Sequence, residues 1–134
     1  MNAASILVVE DNVDTLKVIE LCLTSLGYAV TCAQHGREAM RLLTEREFDL
    51  VMTDLLMPDV DGMEVIVAVR RHQPATPVIV MSGGGRFMGG RELMKLGIKL
   101  GAHSELPKPF TPAQLTAAVS RHCGTNRSEL AGAA

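Results

Sequence analysis

Val51-Met52-Thr53-Asp54-Leu55-Leu56-Met57-Pro58 decides the fold. A short apolar run ends on a lone acid, and a turn follows. Runs of this length that are apolar almost throughout suit strands buried on both faces, as in a parallel sheet. Four other positions stand in the same relation to a run. Glu10 and Asp11 follow SILVV at 5–9, Ser82 follows the run at 78–81, and Lys108 follows a short run at 104–106. A fifth run, 28–33, completes a set of five expected strands, with the central one spanning 49–53.

Helical spacing fills the gaps. Leu16, Ile19, Leu23 and Leu26 recur at three- and four-residue intervals, predicting a helix over 13–26 with Asn12 as its N-cap, Asp14 at the positive end of its dipole and Gly27 just past its end. Further helices are expected over 37–45, 63–72 and 91–100. The last of these carries Gly97 inside it, at a cost of about 1 kcal/mol relative to Ala. Thr111, Pro112 and Gln114 combine a capping box with Pro at the first helical position, opening a fifth helix whose inner face holds Leu115, Ala118, Val119 and His122. Five strands alternating with five helices predict an α/β doubly wound fold, a parallel sheet in the flavodoxin-like order 2-1-3-4-5. The fifth strand is then an edge, where Pro107 is tolerated.

Bulk properties bound the function. The 134 residues predict one domain, 1–124, followed by a small polar tail at 125–134 that is expected to be flexible and leaves no room for an output domain. A net charge of −2 without a basic run argues against direct nucleic-acid binding. No apolar run reaches the ~20 residues that span a bilayer. The N-terminus lacks the basic segment of a signal peptide, so a cytoplasmic protein is expected. Cys22, Cys32 and Cys123 form no CxxC pair, and the four histidines have no metal spacing. Cys22 is read as a small core residue and the methionines as core filler.

The order 2-1-3-4-5 places the switch point between the first and third strands, where ligands bind beyond the carboxyl ends. Glu10, Asp11 and Asp54 meet there. Three carboxylates held together repel unless a cation neutralises them, and an all-oxygen set with few protein ligands suits Mg²⁺. Ser82 and Lys108 stand on the same rim. A hydroxyl and an ammonium facing a metal-bound carboxylate make sense if Asp54 attacks phosphorus, with Lys108 and Mg²⁺ stabilising charge on the transferred oxygens and Ser82 donating to one of them.

Over residues 5–123 the chain resembles the receiver domain of bacterial two-component response regulators (CheY-like). Glu10-Asp11, Asp54 in TDLLMPDVDG, Ser82 in VIVMSG and Lys108 in KPF carry the resemblance. It implies Mg²⁺ held by Glu10, Asp11, Asp54 and the backbone carbonyl of Leu56, and a cis peptide at Lys108–Pro109. It implies phosphorylation of Asp54 by a phosphohistidine on a sensor histidine kinase or phosphotransfer protein. It also implies signalling through the face of the fourth helix, fifth strand and fifth helix. The implied role is a stand-alone phosphoacceptor in a phosphorelay, acting by docking or onward transfer. It is not an enzyme on other substrates: it forms and hydrolyses only its own aspartyl phosphate.

Two departures stand out. Receivers usually carry Tyr or Phe three residues before the lysine, where this chain has Glu105. The loop at 83–90 (GGGRFMGG) is longer than usual, so switching is expected to run through Ser82 and this loop. Both features favour an alternative, a degenerate receiver acting as a phosphate-independent binding module. The loop is not a P-loop, since GK[ST] is absent, and it does not match GxGxxG. A flavin- or nucleotide-binding domain therefore ranks last.

Overall fold

Strands and helices alternate through the described residues. The computed structural model describes residues 3–55, 62–82 and 90–123, with residues 90–94 described by their backbone alone. The elements are β1 (Ser5–Val9), α1 (Val13–Ser25), β2 (Ala29–Ala33), α2 (Gly36–Glu45), β3 (Leu50–Asp54), α3 (Gly62–His72), β4 (Val78–Ser82), α4 (Gly90–Leu100), β5 (Ser104–Pro107) and α5 (Pro112–Cys123). All strand pairs are parallel, and the sheet order is β2-β1-β3-β4-β5. The expected tail at 125–134 lies outside the described residues.

The apolar runs feed both faces of the sheet, as period-two geometry requires. Leu7, Val9, Val51, Val78 and Val80 pack toward α2 and α3 in one cluster. Ile6, Val8, Leu50, Met52, Ile79 and Met81 pack toward α1 and α5 in the other.

Local chemistry sets the ends of the helices. Asn12 Oδ1 accepts from the Thr15 N–H at 2.9 Å and caps α1. Gly27, with φ of 95°, donates to the Thr24 carbonyl, and Tyr28 donates to the Leu23 carbonyl, closing that helix. Thr111 and Gln114 exchange bonds of 2.8 and 3.1 Å in the expected capping box.

Several positions differ from the sequence reading. Asp49 precedes β3, and its carboxylate instead accepts from the Ser5 N–H at 2.7 Å. Cys22 is only half-buried against the α1–α5 cluster. His122 is half-buried too, turned to Ser104 Oγ at 2.9 Å, because the ring is long enough to reach the strand edge. At Gly97 in α4 a Cβ would lie 3.6 Å from Ile66 and Leu55 side-chain atoms, an ordinary contact distance, so packing does not demand glycine there.

Candidate functional site

The carboxyl ends of β1, β3, β4 and β5 form one rim. β1 ends at Val9, and the next residue, Glu10, sends its N–H to the Ala33 carbonyl of β2 at 3.0 Å. That turn buries the Glu10 side chain, leaving it 1% exposed. Its Oε2 accepts from the Asn12 N–H at 3.1 Å. Asp54 closes β3 and is 7% exposed, whereas Asp11 is exposed. One carboxylate oxygen from each of Glu10, Asp11 and Asp54 lies within 4.8 Å of the others.

Lys108 reaches in from beyond β5. Its Nζ lies 2.5 Å from Glu10 Oε1 and 3.0 Å from Asp54 Oδ2. The Lys108 N–H donates to the Ser82 carbonyl at 2.8 Å, which ties the segment after β5 to the end of β4. The Lys108–Pro109 peptide is cis, as the resemblance implied. Ser82 ends β4, half-buried, beside Lys108.

The electrostatics follow from burial and pairing. Burial pushes the Glu10 carboxyl above its ordinary value, against the opposing pull of the Lys108 and Asn12 hydrogen bonds. Burial alone would lower the Lys108 ammonium. The Glu10 hydrogen bond and the Asp54 charge outweigh it, so its pKa rises and the side chain stays charged. One cation thus serves two buried acids, while the exposed Asp11 completes an acidic opening. Three carboxylates whose oxygens converge, with only hard oxygen donors, fit a Mg²⁺ that keeps part of its water shell.

Of the expected site residues, Glu10, Asp11, Asp54, Ser82 and Lys108 come together on this rim. Leu56, whose backbone carbonyl was expected to ligate Mg²⁺, lies outside the described residues, as does the loop at 83–89. Glu105 is exposed on β5. Two features escaped the sequence reading. Gly62 sits where a Cβ would fall 2.1 Å from the Asp54 carbonyl oxygen. Its signal was present in PDVDG, but read as a turn. Thr53 is fully buried, with its hydroxyl donating to that same carbonyl at 2.9 Å. A threonine in an apolar run reads only as a strand former.

Fold and site define a doubly wound domain with an acid-lined, lysine-bridged carboxyl rim. The chain belongs to the response regulator receiver domain family, whose model matches residues 6–120, and so to two-component signalling. It is 40% identical over 82 residues to the transcriptional regulatory protein GlrR of Escherichia coli K12; the match covers 61% of this chain and 18% of that protein. The chain therefore spans about a fifth of the length of such curated relatives. The receiver domain of the sensor histidine kinase PA1611 from Pseudomonas aeruginosa PAO1, with a magnesium ion coordinated in its active site cleft, superposes with a TM-score of 0.80. It is 31% identical, and the match covers 91% of this chain and 98% of that one. A CheY-like receiver domain protein from Methanospirillum hungatei JF-1 shares the fold with a TM-score of 0.84 at 23% identity, over 96% and 99% of the two chains. No helix among the described residues is long and apolar enough to cross a membrane.

Proposed function

We propose that Asp54 is the phosphoacceptor of a two-component phosphorelay. The observation that carries this reading is the convergence of Glu10, Asp11 and Asp54 with Lys108 Nζ 3.0 Å from Asp54 Oδ2. An Asp54 carboxylate oxygen attacks the phosphorus of a phosphohistidine. The O–P bond forms as the N–P bond breaks, and the donor imidazole leaves with the electron pair. Lys108, already on the Asp54 carboxylate, stabilises negative charge on the transferred oxygens, and the Ser82 hydroxyl donates to one of them. Glu10, Asp11 and Asp54, with the Leu56 carbonyl, would hold Mg²⁺, which neutralises charge on the phosphoryl group when bound. Hydrolysis returns the carboxylate, so the protein turns over only its own aspartyl phosphate.

The donor is a histidine kinase or histidine phosphotransfer protein. A cavity of about 580 Å³ beside Lys108, lined by Asp14, Thr15, Val18, Ile19, Pro109 and Phe110, gives it a seat next to the site. Val18 and Leu21 extend that apolar surface along α1, 54% and 70% exposed. Output runs through a protein docked on α4, β5 and α5 or through onward transfer. The compartment is the cytoplasm, with no membrane or direct nucleic-acid contact.

The test is intact-mass spectrometry after incubation with acetyl phosphate, with and without Mg²⁺, alongside Asp54→Ala. The expected result is a Mg²⁺-dependent phosphoryl adduct that the variant lacks. No adduct under any condition would overturn the proposal in favour of a phosphate-independent binding module, the reading that Glu105 favours.

A further inference from the structure

We infer that Asn12 is a positioning residue for the Mg²⁺ site: its backbone N–H holds the Glu10 carboxylate, and its side-chain cap on α1 fixes that N–H. The inference rests on the reading of Glu10 and Asp11 as holders of Mg²⁺. Glu10 is 1% exposed, and its two carboxylate oxygens have different partners among the described residues. Oε1 faces Lys108 Nζ at 2.5 Å, and Oε2 accepts from the Asn12 N–H at 3.1 Å. Lys108 is shared with Asp54 and, on the proposed mechanism, turns to the transferred oxygens. The Asn12 bond is the one that phosphoryl transfer leaves in place. It also closes a short ring around Asp11, since donor and acceptor belong to residues two apart, so it sets the backbone of the second acid as well.

Asn12 is exposed, so burial does not hold it. Hydrogen bonds do. Its carbonyl accepts from the Leu16 N–H at 2.9 Å, and its Oδ1 accepts from the Thr15 N–H at 2.9 Å. Both donors lie at the start of α1, whose Leu16, Ile19 and Leu23 are buried against the sheet. Asn12 itself stands just outside the helix with extended backbone, φ −80° and ψ 114°, and passes the fixed position of α1 on to Glu10. Thr15 is the third helical residue, so its N–H has no acceptor within the helix and takes the cap instead. Alanine at position 12 keeps the backbone N–H but leaves the Thr15 donor to water. The first turn then frays, the peptide between Asp11 and Asn12 gains freedom to rotate, and Glu10 Oε2 is released. Groups that orient a metal ligand are worth on the order of 10- to 100-fold in metal affinity. A bond that is loosened rather than deleted belongs at the low end, about tenfold.

The experiment measures Mg²⁺ affinity in wild type, Asn12→Ala, Asn12→Ser and Lys17→Gly. Binding is followed through the amide shifts of residues 10, 11 and 54 as Mg²⁺ is added, with no phosphodonor present. Serine restores a side-chain acceptor at the N-cap. Lys17 is exposed inside α1, so glycine there weakens the helix without touching the cap, and thermal unfolding compares its destabilisation with that of Asn12→Ala. The expected dissociation constant is about tenfold higher in Asn12→Ala and close to wild type in Asn12→Ser and Lys17→Gly. A merely structural role would not produce that split. Wild-type affinity in Asn12→Ala, or an equal loss in Asn12→Ser or Lys17→Gly, overturns the inference while leaving the Mg²⁺ site and Asp54 in place. Should Asn12→Ala fail to fold, Asn12→Gly, which lacks the acceptor yet suits an N-cap, takes its place under the same criteria. A wild type whose three amides do not respond to Mg²⁺ overturns the underlying reading, and the inference with it.

Discussion

Lys108→Met removes the charge from the site while keeping most of the side chain's stem. In the folded protein the Lys108 ammonium is shared between Glu10 Oε1 at 2.5 Å and Asp54 Oδ2 at 3.0 Å. Glu10 is 1% exposed, so its carboxylate would be left buried with only the Asn12 N–H as a described partner. Hydrogen bonds to charged groups contribute about 1.5–3 kcal/mol each. Breaking a buried ion pair from one side costs about 3–5 kcal/mol. Lys108 is itself 20% exposed and Asp54's side chain 10%, so water can replace part of what is lost. Protonation of Glu10 limits the remainder. The expected loss in EDTA at pH 7 is therefore about 2–3 kcal/mol, which moves the urea midpoint down by about 1 M.

The pH dependence carries a sign. The Glu10 pKa is raised in the fold, and removing Lys108 raises it further. Above the unfolded value, the folded state then binds more protons than the unfolded one, so stability rises as pH falls. The deficit of the variant should shrink between pH 7 and pH 5. Mg²⁺ should narrow it as well, because a metal at the acidic cluster replaces the missing cation; saturation at 100 times the dissociation constant is worth about 2.7 kcal/mol. Urea unfolding followed by circular dichroism, at two pH values with and without Mg²⁺, measures all of this. A variant as stable as wild type in EDTA would mean that Lys108 is not the counter-charge of the buried acids.

Gly97→Ala should stabilise the protein by about 0.5–1 kcal/mol, because a Cβ meets Ile66, Leu55 and Val80 only at ordinary contact distances while helix propensity improves; thermal unfolding reads it. His103 and His122 both have lowered pKa values, through burial first, then Arg70 for His103 and His103 itself for His122. The unfolded chain then binds more protons near and below pH 6.5, so their contribution is complete above that pH and declines as pH falls further. His103 Nδ1 accepts the Val78 N–H at 3.1 Å, so His103→Asn, which keeps an acceptor without a titrating site, should flatten part of this slope in thermal unfolding from pH 7.5 to 5.5. Cys32 and Cys123 are pushed up to about 11 by burial and then by nearby acids, Glu20 and Asp49 respectively. Both should react with iodoacetamide at pH 8 on the order of 100-fold more slowly than a free thiol, as mass-mapped alkylation would show.

Much of the architecture was legible because its signals are local. The capping box at Thr111 and Gln114, the Asn12 cap and Gly27 each act within a few residues, and each is where the sequence placed it. The acids and the lysine were legible because parallel strands all end on one rim, so a polar residue closing each run must converge there. What the sequence did not disclose depends on partners distant in the chain. Nothing in the spacing around Gly97 announces that Ile66 and Val80 lie beside it with room for a methyl group. Gln73 reads as a helix breaker, yet its amide accepts from the Phe48 N–H and donates to the Leu43 and Arg46 carbonyls, holding the end of α2 to the end of α3. Val65 is buried and Val67 is 41% exposed, although GMEVIVAV offers more apolar residues than one helix face can bury. The Lys108 bridge to Glu10 spans nearly the whole chain, and no spacing announces it.

On the proposed mechanism the phosphoryl group resides on Asp54. An acyl phosphate is reduced by borohydride to the alcohol, which converts an aspartyl phosphate to homoserine. Peptide mapping after Mg²⁺-dependent phosphorylation and borohydride reduction should find homoserine at position 54 and unchanged aspartate at position 11. Homoserine at another position, or none anywhere in a protein that carries a phosphoryl adduct, would rule out Asp54 as the acceptor.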